Sequence, residues 1–584
     1  MSPMKSSDSV RKRPSSSRWT SFASIAALLL ASVATASTPV RSDALKITVR
    51  DAETGGFVDA EVELTGADSS RSLLKIHGGR AQWQVGGELN LELTANGYMS
   101  LSTQLAADTH DVLLWLDPVP APPAAGRTAG TGVTIVGHVY DFLRGAAVSG
   151  ARVNIDNEIA YTNSRGQFSL NLPAVDDDEG ATAQLSVTAD GLPPWTQALT
   201  LTNGVNHRII DLGAGTPGPD HRFDSRQLAS PIEDPTAARA PVFPVPQSIR
   251  VGYADAGFTT PCCVGSCSAV SVMSLETYVK RGLNDEWIAS WTGDSLRAGA
   301  IAYRSYGAWH VANPRAPSYD ICSSACCQVN DSDTSVSSDA AVNATAGILL
   351  SQNGQIFRSE YSAENNAWDD PGDGLPCSNP DLSCGNGFVG SPATGWPCLA
   401  DSVALGRGCF GHGRGMSQWG SQRWSLDQGQ RWPWIVNHYY NANGNGAGLR
   451  NSELTSPLRI DQFTAPVNAS PGQLITLTLE LSNLAALAHD PVYIGASLFR
   501  SGSGFVSDPL RDLGVRLEPG SQQRSRQFQL PEGLSPGVWD VLVALYLDID
   551  GNGAINSGDL ALTSARQNGV LTIVGGPLFA DGFE

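Results

Sequence analysis

From Leu45 onward the chain opens in period-two alternation of apolar and polar residues. Leu45 to Arg50 alternates as a strand, Thr54-Gly55-Gly56 turns, Ala60 to Leu64 alternates again, and Ala95-Asn96-Gly97-Tyr98 closes the stretch. A second stretch repeats the plan through Gly137 to Tyr140, Val148-Ser149-Gly150-Ala151, Val153 to Ile155, Thr162-Asn163-Ser164-Arg165-Gly166-Gln167-Phe168 and Ala189-Asp190-Gly191-Leu192. Alternation punctuated by Gly, Asn and Asp predicts two small antiparallel β-sandwiches, at 44–117 and 132–212. The segments 118–131 and 213–247 are rich in Pro and lack apolar periodicity, so both read as extended linkers.

Between 248 and 450 the texture changes to mixed α and β. Leu275, Tyr278, Val279 and Leu283 fall at i, i+3, i+4 and i+8, which predicts a helix from Ser274 to Arg281 with Gly282 near its end. A second helix is expected from Leu296 to His310, capped by Asp294. Its small residues Ala298, Gly299, Ala300 and Ala302 suit close approach by another element. Ser338 is placed to cap a third helix from Asp339 to Ala346. Asn353-Gly354 between β-prone runs predicts a hairpin, and a helix is expected from Ser417 to Leu426.

The segment 457–576 returns to β texture. Leu474 to Leu481 alternates and Trp539 to Tyr546 is strongly apolar, as in an adhesion-type sandwich. The fold class expected is therefore multidomain: N-terminal β-sandwich modules, a central α+β domain and a C-terminal β-sandwich. Within the last, residues 548–559 place Asp548, Asp550, Asn552, Ala554, Asn556 and Asp559 at the ligand positions of a Ca2+ loop, with Gly553 at position six. A structural Ca2+ is expected there, with a solvated acidic turn or a dockerin-like partner site as the alternatives, since Asp559 stands where a bidentate Glu is usual and a second repeat of the loop is absent from the sequence.

Composition narrows the function classes. The 584 residues carry 38 Lys and Arg against 57 Asp and Glu, a formal charge of −19, which disfavours nucleic acid as a partner. Basic residues Lys5 to Arg18 precede an apolar run from Phe22 to Val33 and Ala34-Thr35-Ala36, the pattern of a signal peptide at 1–36. That run is short for a bilayer, so an exported protein without a transmembrane segment is expected, placed in the periplasm, at the cell surface or outside the cell. All ten cysteines lie between Cys262 and Cys409. In an oxidising compartment they read first as disulfides and second as a zinc site on a subset.

Several blocks now combine. They are Leu275 to Lys280, Asp285-Glu286-Trp287, Leu296 to Tyr306, Tyr319 to Cys322 with Cys327-Gln328-Val329, Ala341 to Gly347, Gly411 to Gly420, and Asn437-His438-Tyr439-Tyr440. In this order they resemble the family of sporulation stage II protein D and the amidase enhancer LytB, over about 200 residues. The two N-terminal stretches resemble carboxypeptidase regulatory-like modules, and Phe579 to Glu584 resembles a short ending of exported Gram-negative proteins.

The resemblance implies action on peptidoglycan glycan strands, either as a lytic transglycosylase or as a non-enzymatic amidase enhancer partnered with a cell-wall amidase. An adhesive surface scaffold is the third reading. In the enzymatic members one Glu, matching Glu286, carries the chemistry; taken without the family, it reads as a solvated acid at a helix entry. Candidate substrate contacts are Arg304 for a lactyl carboxylate, Tyr306 for a ring face, Tyr361, Ser362, His412 and Gln418, with packing roles as the alternatives for Arg304, Tyr306 and His412. Where zinc-binding members carry two histidines, this chain has Ala316 and Cys326, so Zn2+ is not expected, and no organic cofactor is implied. After Tyr361-Ser362 the paired glycines frequent in the family are replaced by Ala363-Glu364-Asn365-Asn366 and a long insertion.

Overall fold

The computed structural model describes residues 44–119, 132–212, 245–364, 368–369, 399–404, 411–441 and 450–574, with short breaks at 85–86, 142–146, 156–157, 165, 175–181, 202–203, 550, 552–554 and 557. The expected signal peptide, most of both linkers, the insertion cysteines Cys377, Cys384 and Cys398, Cys409, and the terminal Phe579 to Glu584 lie outside the described residues. The architecture is β-rich and multidomain, as the alternation predicts.

The stretch 132–212 folds as a sandwich of a four-stranded and a three-stranded sheet, its inward positions Val133, Ile135, Val153, Ile155, Leu185 and Val187 fully buried. The first stretch differs from expectation. One of its sheets is self-contained, but the other continues into the central domain in the order Ile321–Cys322, Ser248–Tyr253, Ala269–Ser274, Asp111–Leu116, Leu45–Asp51, Arg80–Trp83. Asp111–Leu116 pairs in parallel with Ala269–Ser274, Val112 opposite Val270 and Leu114 opposite Val272. The first sandwich and the central domain thus share a sheet and a core, so the stretch 44–117 is not a module independent of the central domain. The reason is legible in the strands: Val112 to Leu116 is an unbroken apolar run and Ala269 to Ser274 is buried throughout, the mark of strands covered on both faces.

Five α-helices lie among the described residues: α1 (Leu275–Glu286), α2 (Gly293–Ala312), α3 (Val336–Ala344), α4 (Gln418–Leu426) and α5 (Trp432–Tyr440); α1 and α2 pack on this sheet, and α3, α4 and α5 pack on α2. Helix α1 runs past Gly282 to Glu286, a correction with a steric cause. A Cβ at Gly282 would lie 1.8 Å from the Tyr303 hydroxyl, so the glycine serves close approach of α2 and not termination. Helix α2 is capped by Thr292, which accepts from Ser295 N at 3.3 Å, instead of by Asp294. Asp294 is fully buried and receives the Trp432 amide at 3.1 Å, fixing the start of α5. Helix α3 begins at Val336 after the N-cap Ser335, three residues ahead of the expected Ser338 cap. The hairpin at Asn353-Gly354 forms, both residues having positive φ.

The C-terminal sandwich joins a three-stranded and a six-stranded sheet, and one hydrophobic cluster runs continuously from Tyr278 and Leu283 to Leu477 and Val541. The second sandwich docks on it through Arg208, whose guanidinium donates to the Tyr493 hydroxyl at 2.9 Å. No helix among the described residues is long and apolar enough to cross a membrane.

Candidate active site

Helix α1 is placed by its N-cap, where Ser274 Oγ accepts from Thr277 N at 3.1 Å, and by the buried stripe of Leu275, Tyr278, Val279 and Leu283. At its other end Trp287 leaves helical geometry and drives its indole into α2. A Cβ at Gly299 would lie 2.6 Å from that ring, and Trp287 Nε1 donates to Ser421 Oγ at 3.1 Å. This fully buried anchor holds the residue before it, Glu286, at the junction of α1, α4 and the segment after Cys327.

The Glu286 carboxyl is half-buried and ringed by donors. Val329 N donates to Oε1 at 3.1 Å, Gln418 Nε2 to Oε2 at 3.2 Å, and the Tyr361 hydroxyl also bonds it. Burial raises the Glu286 pKa above its ordinary 4.5, against the opposing pull of Val329, Gln418 and Tyr361. The donors are themselves positioned. Gln328 Nε2 donates to Tyr361 Oη at 2.9 Å, and Gln328 Oε1 accepts from Tyr278 Oη at 2.5 Å.

A parallel pairing of Tyr361–Ser362 with Met416–Ser417 brings the glycine-rich loop alongside. Gly413 N donates to Ser362 Oγ at 3.0 Å. Gly415 has φ of +74°, and a Cβ there would sit 1.7 Å from the Glu360 carbonyl oxygen, so the loop closes only with glycine. His412 is half-buried, its Nδ1 accepting from Arg414 N at 3.1 Å. Burial, then the Arg414 charge, lowers its pKa, which favours the neutral ring. Glu286, Tyr361, Ser362, His412 and Gln418 thus lie in one connected lobe.

Arg304 and Tyr306 lie elsewhere. Arg304 is fully buried and bonds Glu276 through Nε at 3.0 Å and Nη2 at 2.8 Å, with further bonds to the Val342 and Ile348 carbonyls. Its guanidinium is consumed by packing, so the expected contact with a substrate carboxylate is corrected: Arg304 ties α2 to α1 and to the end of α3. Tyr306 is also buried, its ring edge-on to His310 at 4.9 Å and to Tyr361 at 6.5 Å, behind the lobe and not on its surface.

Six of the cysteines pair as Cys262–Cys267, Cys263–Cys326 and Cys322–Cys327, the disulfide reading. With Cys322, Cys326 and Cys327 so bonded, their thiolates are not offered to a metal. The last pair stands one residue before Gln328 and two before Val329, so it anchors the segment that holds Glu286. Sequence reasoning quoted Gln328-Val329 only as part of a resembling block; their proximity to a cysteine pair is the signal that finds them. Asp285 turns away from Glu286, toward Asp331 and Asp333, whose carboxylates lie close to its own. Burial, then those two charges, pushes its pKa up to about 7.

At the other end of the chain, Asp548 Oδ1 accepts from Gly551 N at 2.8 Å and Asn556 Oδ1 from Gly558 N at 2.6 Å. Asp559 accepts from Ile549 N and Asn556 N, each at 2.8 Å. These three of the expected Ca2+ ligands thus shape the loop; Asp550, Asn552 and Ala554 lie outside the described residues.

Comparison with known proteins bears on the central domain. Among curated proteins, none matches the chain. Solved structures share limited similarity. The alkylpurine DNA glycosylase AlkC of Pseudomonas fluorescens, bound to DNA containing an abasic site analog, is 17% identical over 20% of this chain and 31% of that one, with a TM-score of 0.14. The sporulation control protein Spo0M of Bacillus subtilis is 18% identical over 20% and 51%, TM-score 0.15. A CARDB domain from Pyrococcus furiosus, in complex with di-metal ions, is 10% identical over 20% and 94%, TM-score 0.14. The chain spans about a third and a half of the first two, and at these scores none bears on function. The family SpoIID, Stage II sporulation protein, matches residues 264–351, which include α1, Glu286, α2 and the Gln328-Val329 segment. Over residues 264–351 the chain is thus similar to the SpoIID, Stage II sporulation protein, family.

Proposed function

We propose that this protein is an exported cell-wall enzyme, a lytic transglycosylase that cleaves the MurNAc-GlcNAc β-1,4 bond of peptidoglycan glycan strands to a 1,6-anhydro product. The observation that carries the reading is the setting of Glu286: a carboxyl whose pKa is raised by burial, held by three donors where α1, α4 and two loops meet. Breaking the bond requires a proton on the bridging oxygen as the C1–O bond opens, and a carboxyl whose burial favours the protonated form supplies it. The muramyl C6 hydroxyl then closes on C1 and returns its proton to the same Glu286. No water enters, so a second carboxylate of the kind hydrolases use is not required. The neutral His412 ring beside Ser362 suits a sugar hydroxyl. Disulfides in the described domain support an oxidising, exported setting, and the Asp548 to Asp559 loop is assigned a structural Ca2+.

One observation favours the amidase-enhancer reading. Where the family often has glycines, Glu364 is buried and paired with Arg423, and it also accepts from Ser417 Oγ at 3.1 Å. That closes part of the backbone near the lobe. The test is to incubate the mature full-length protein with peptide-free glycan strands and read the ends by mass spectrometry, with a parallel reaction holding a cell-wall amidase and intact peptidoglycan. Anhydromuramyl ends support the transglycosylase. Hydrolysed reducing ends would make it a muramidase, and amidase stimulation without new glycan ends would establish the enhancer.

A further inference from the structure

We infer that Trp419 is the platform on which a pyranose ring of the glycan stacks beside Glu286, an inference that rests on the glycan-cleaving reading and extends it to a named subsite. Trp419 follows Gln418, the residue whose amide bonds both the Glu286 backbone and its carboxylate. It stays 43% exposed although it is a large aromatic in the first turn of α4. Its position is fixed from two sides. The Trp419 amide donates to the Ala363 carbonyl at 3.2 Å, and its ring packs on Trp291 at 4.8 Å between centroids, inclined by 60°. Trp291 itself is buried and so serves as the buttress. Ile288, two residues beyond Glu286, is 47% exposed and adds apolar surface near the carboxyl.

Trp291 holds one side of the indole and leaves the rest to solvent, so Trp419 and Ile288 put exposed apolar surface in the two segments that hold the carboxyl. The negative face of an aromatic ring suits the partially positive C–H groups that line one face of a β-linked pyranose. A flat ring face beside the acid would hold one sugar while the glycosidic oxygen meets Glu286. The occupant is a glycan because Trp419 directly follows Gln418, which holds the carboxyl, and packs on Trp291 in the segment that leaves Glu286.

The experiment reads binding without turnover. In the full-length Glu286→Gln protein, affinity for soluble peptide-free glycan oligosaccharides is measured by calorimetry with Trp419, Trp419→Phe or Trp419→Ala, and with Trp434→Ala as a control for an exposed ring on α5. Trp419→Ala should weaken binding about tenfold, near the upper end of what one aromatic face contributes. Trp419→Phe should keep most of the affinity and Trp434→Ala all of it, each measured on protein shown to be folded. Equal affinity in Trp419→Ala and its parent overturns the platform while leaving the acid role of Glu286 standing. Equal weakening by Trp434→Ala also overturns it, and loss of amidase stimulation with glycan affinity intact would reassign the ledge to a protein partner. Absence of glycan binding by Glu286→Gln itself overturns both this inference and the reading beneath it.

Discussion

The Gln418 side-chain amide donates to Glu286 twice, to its backbone carbonyl oxygen at 2.7 Å and to its carboxylate at 3.2 Å. One residue therefore fixes where the acid sits and opposes the effect of its burial. A hydrogen bond to a carboxylate favours the ionised form, whereas burial favours the neutral one, and here burial prevails.

A pH signature follows. General-acid activity needs protonated Glu286, so it is present at low pH and lost as pH rises through a pKa above 4.5. Gln418→Ala removes a donor to the ionised form and should move that limb to still higher pH; Tyr361→Phe should do the same. The kcat/KM profile of anhydro-product formation checks both, and a limb that moves to lower pH would contradict the assignment.

Arg304 should behave as a structural residue. Arg304→Met leaves Glu276 buried without its cation and should cost about 3–5 kcal/mol in denaturant unfolding, with KM for glycan unchanged in the fraction that folds. Replacing Glu276 and Arg304 together by apolar residues should recover much of the loss. A rise in KM at unchanged stability would restore Arg304 to the binding site.

The Cys322–Cys327 bond should act on catalysis through Val329. The double replacement Cys322→Ser with Cys327→Ser should destabilise by roughly 2 kcal/mol and lower kcat more than it raises KM, because Val329 N loses its fixed position against Glu286 Oε1. Unchanged kcat in the folded variant would show that the segment is held without the disulfide.

The loop from Asp548 to Asp559 should bind Ca2+. Adding the ion at a hundredfold excess over its dissociation constant stabilises the folded form by about 2.7 kcal/mol, so melting of the full chain should rise with Ca2+ and fall with chelator. Asp548→Ala should abolish the difference. Melting indifferent to both chelator and Asp548→Ala would leave the loop an acidic turn.

Much of this organisation is legible in the sequence, because period-two alternation and the helical stripe of Leu275, Tyr278, Val279 and Leu283 are local signals. The misread positions share a cause. Gly282 reads as a helix end, but its lack of a side chain answers Tyr303 on another helix. Asp294 reads as a cap, but its oxygen is taken by Trp432, 138 residues away. Arg304 reads as a carboxylate ligand, and it is one, for Glu276 within the core. The shared sheet between Asp111–Leu116 and Ala269–Ser274 depends on pairing across more than 150 residues of chain, which no local pattern encodes, although the unbroken apolar run of the first strand shows that both its faces are covered. Glu286, Gln328 and Val329 all stand in family blocks, but that the Val329 amide meets the Glu286 carboxyl is given only by the fold.

The most direct test of the account is the rate of anhydromuramyl end formation from peptide-free glycan strands by the full-length protein and by Glu286→Gln at the same pH and the same melting temperature. The account predicts a loss of roughly 10²–10⁴-fold, the range associated with a positioned general acid. Equal rates from the two proteins would contradict it.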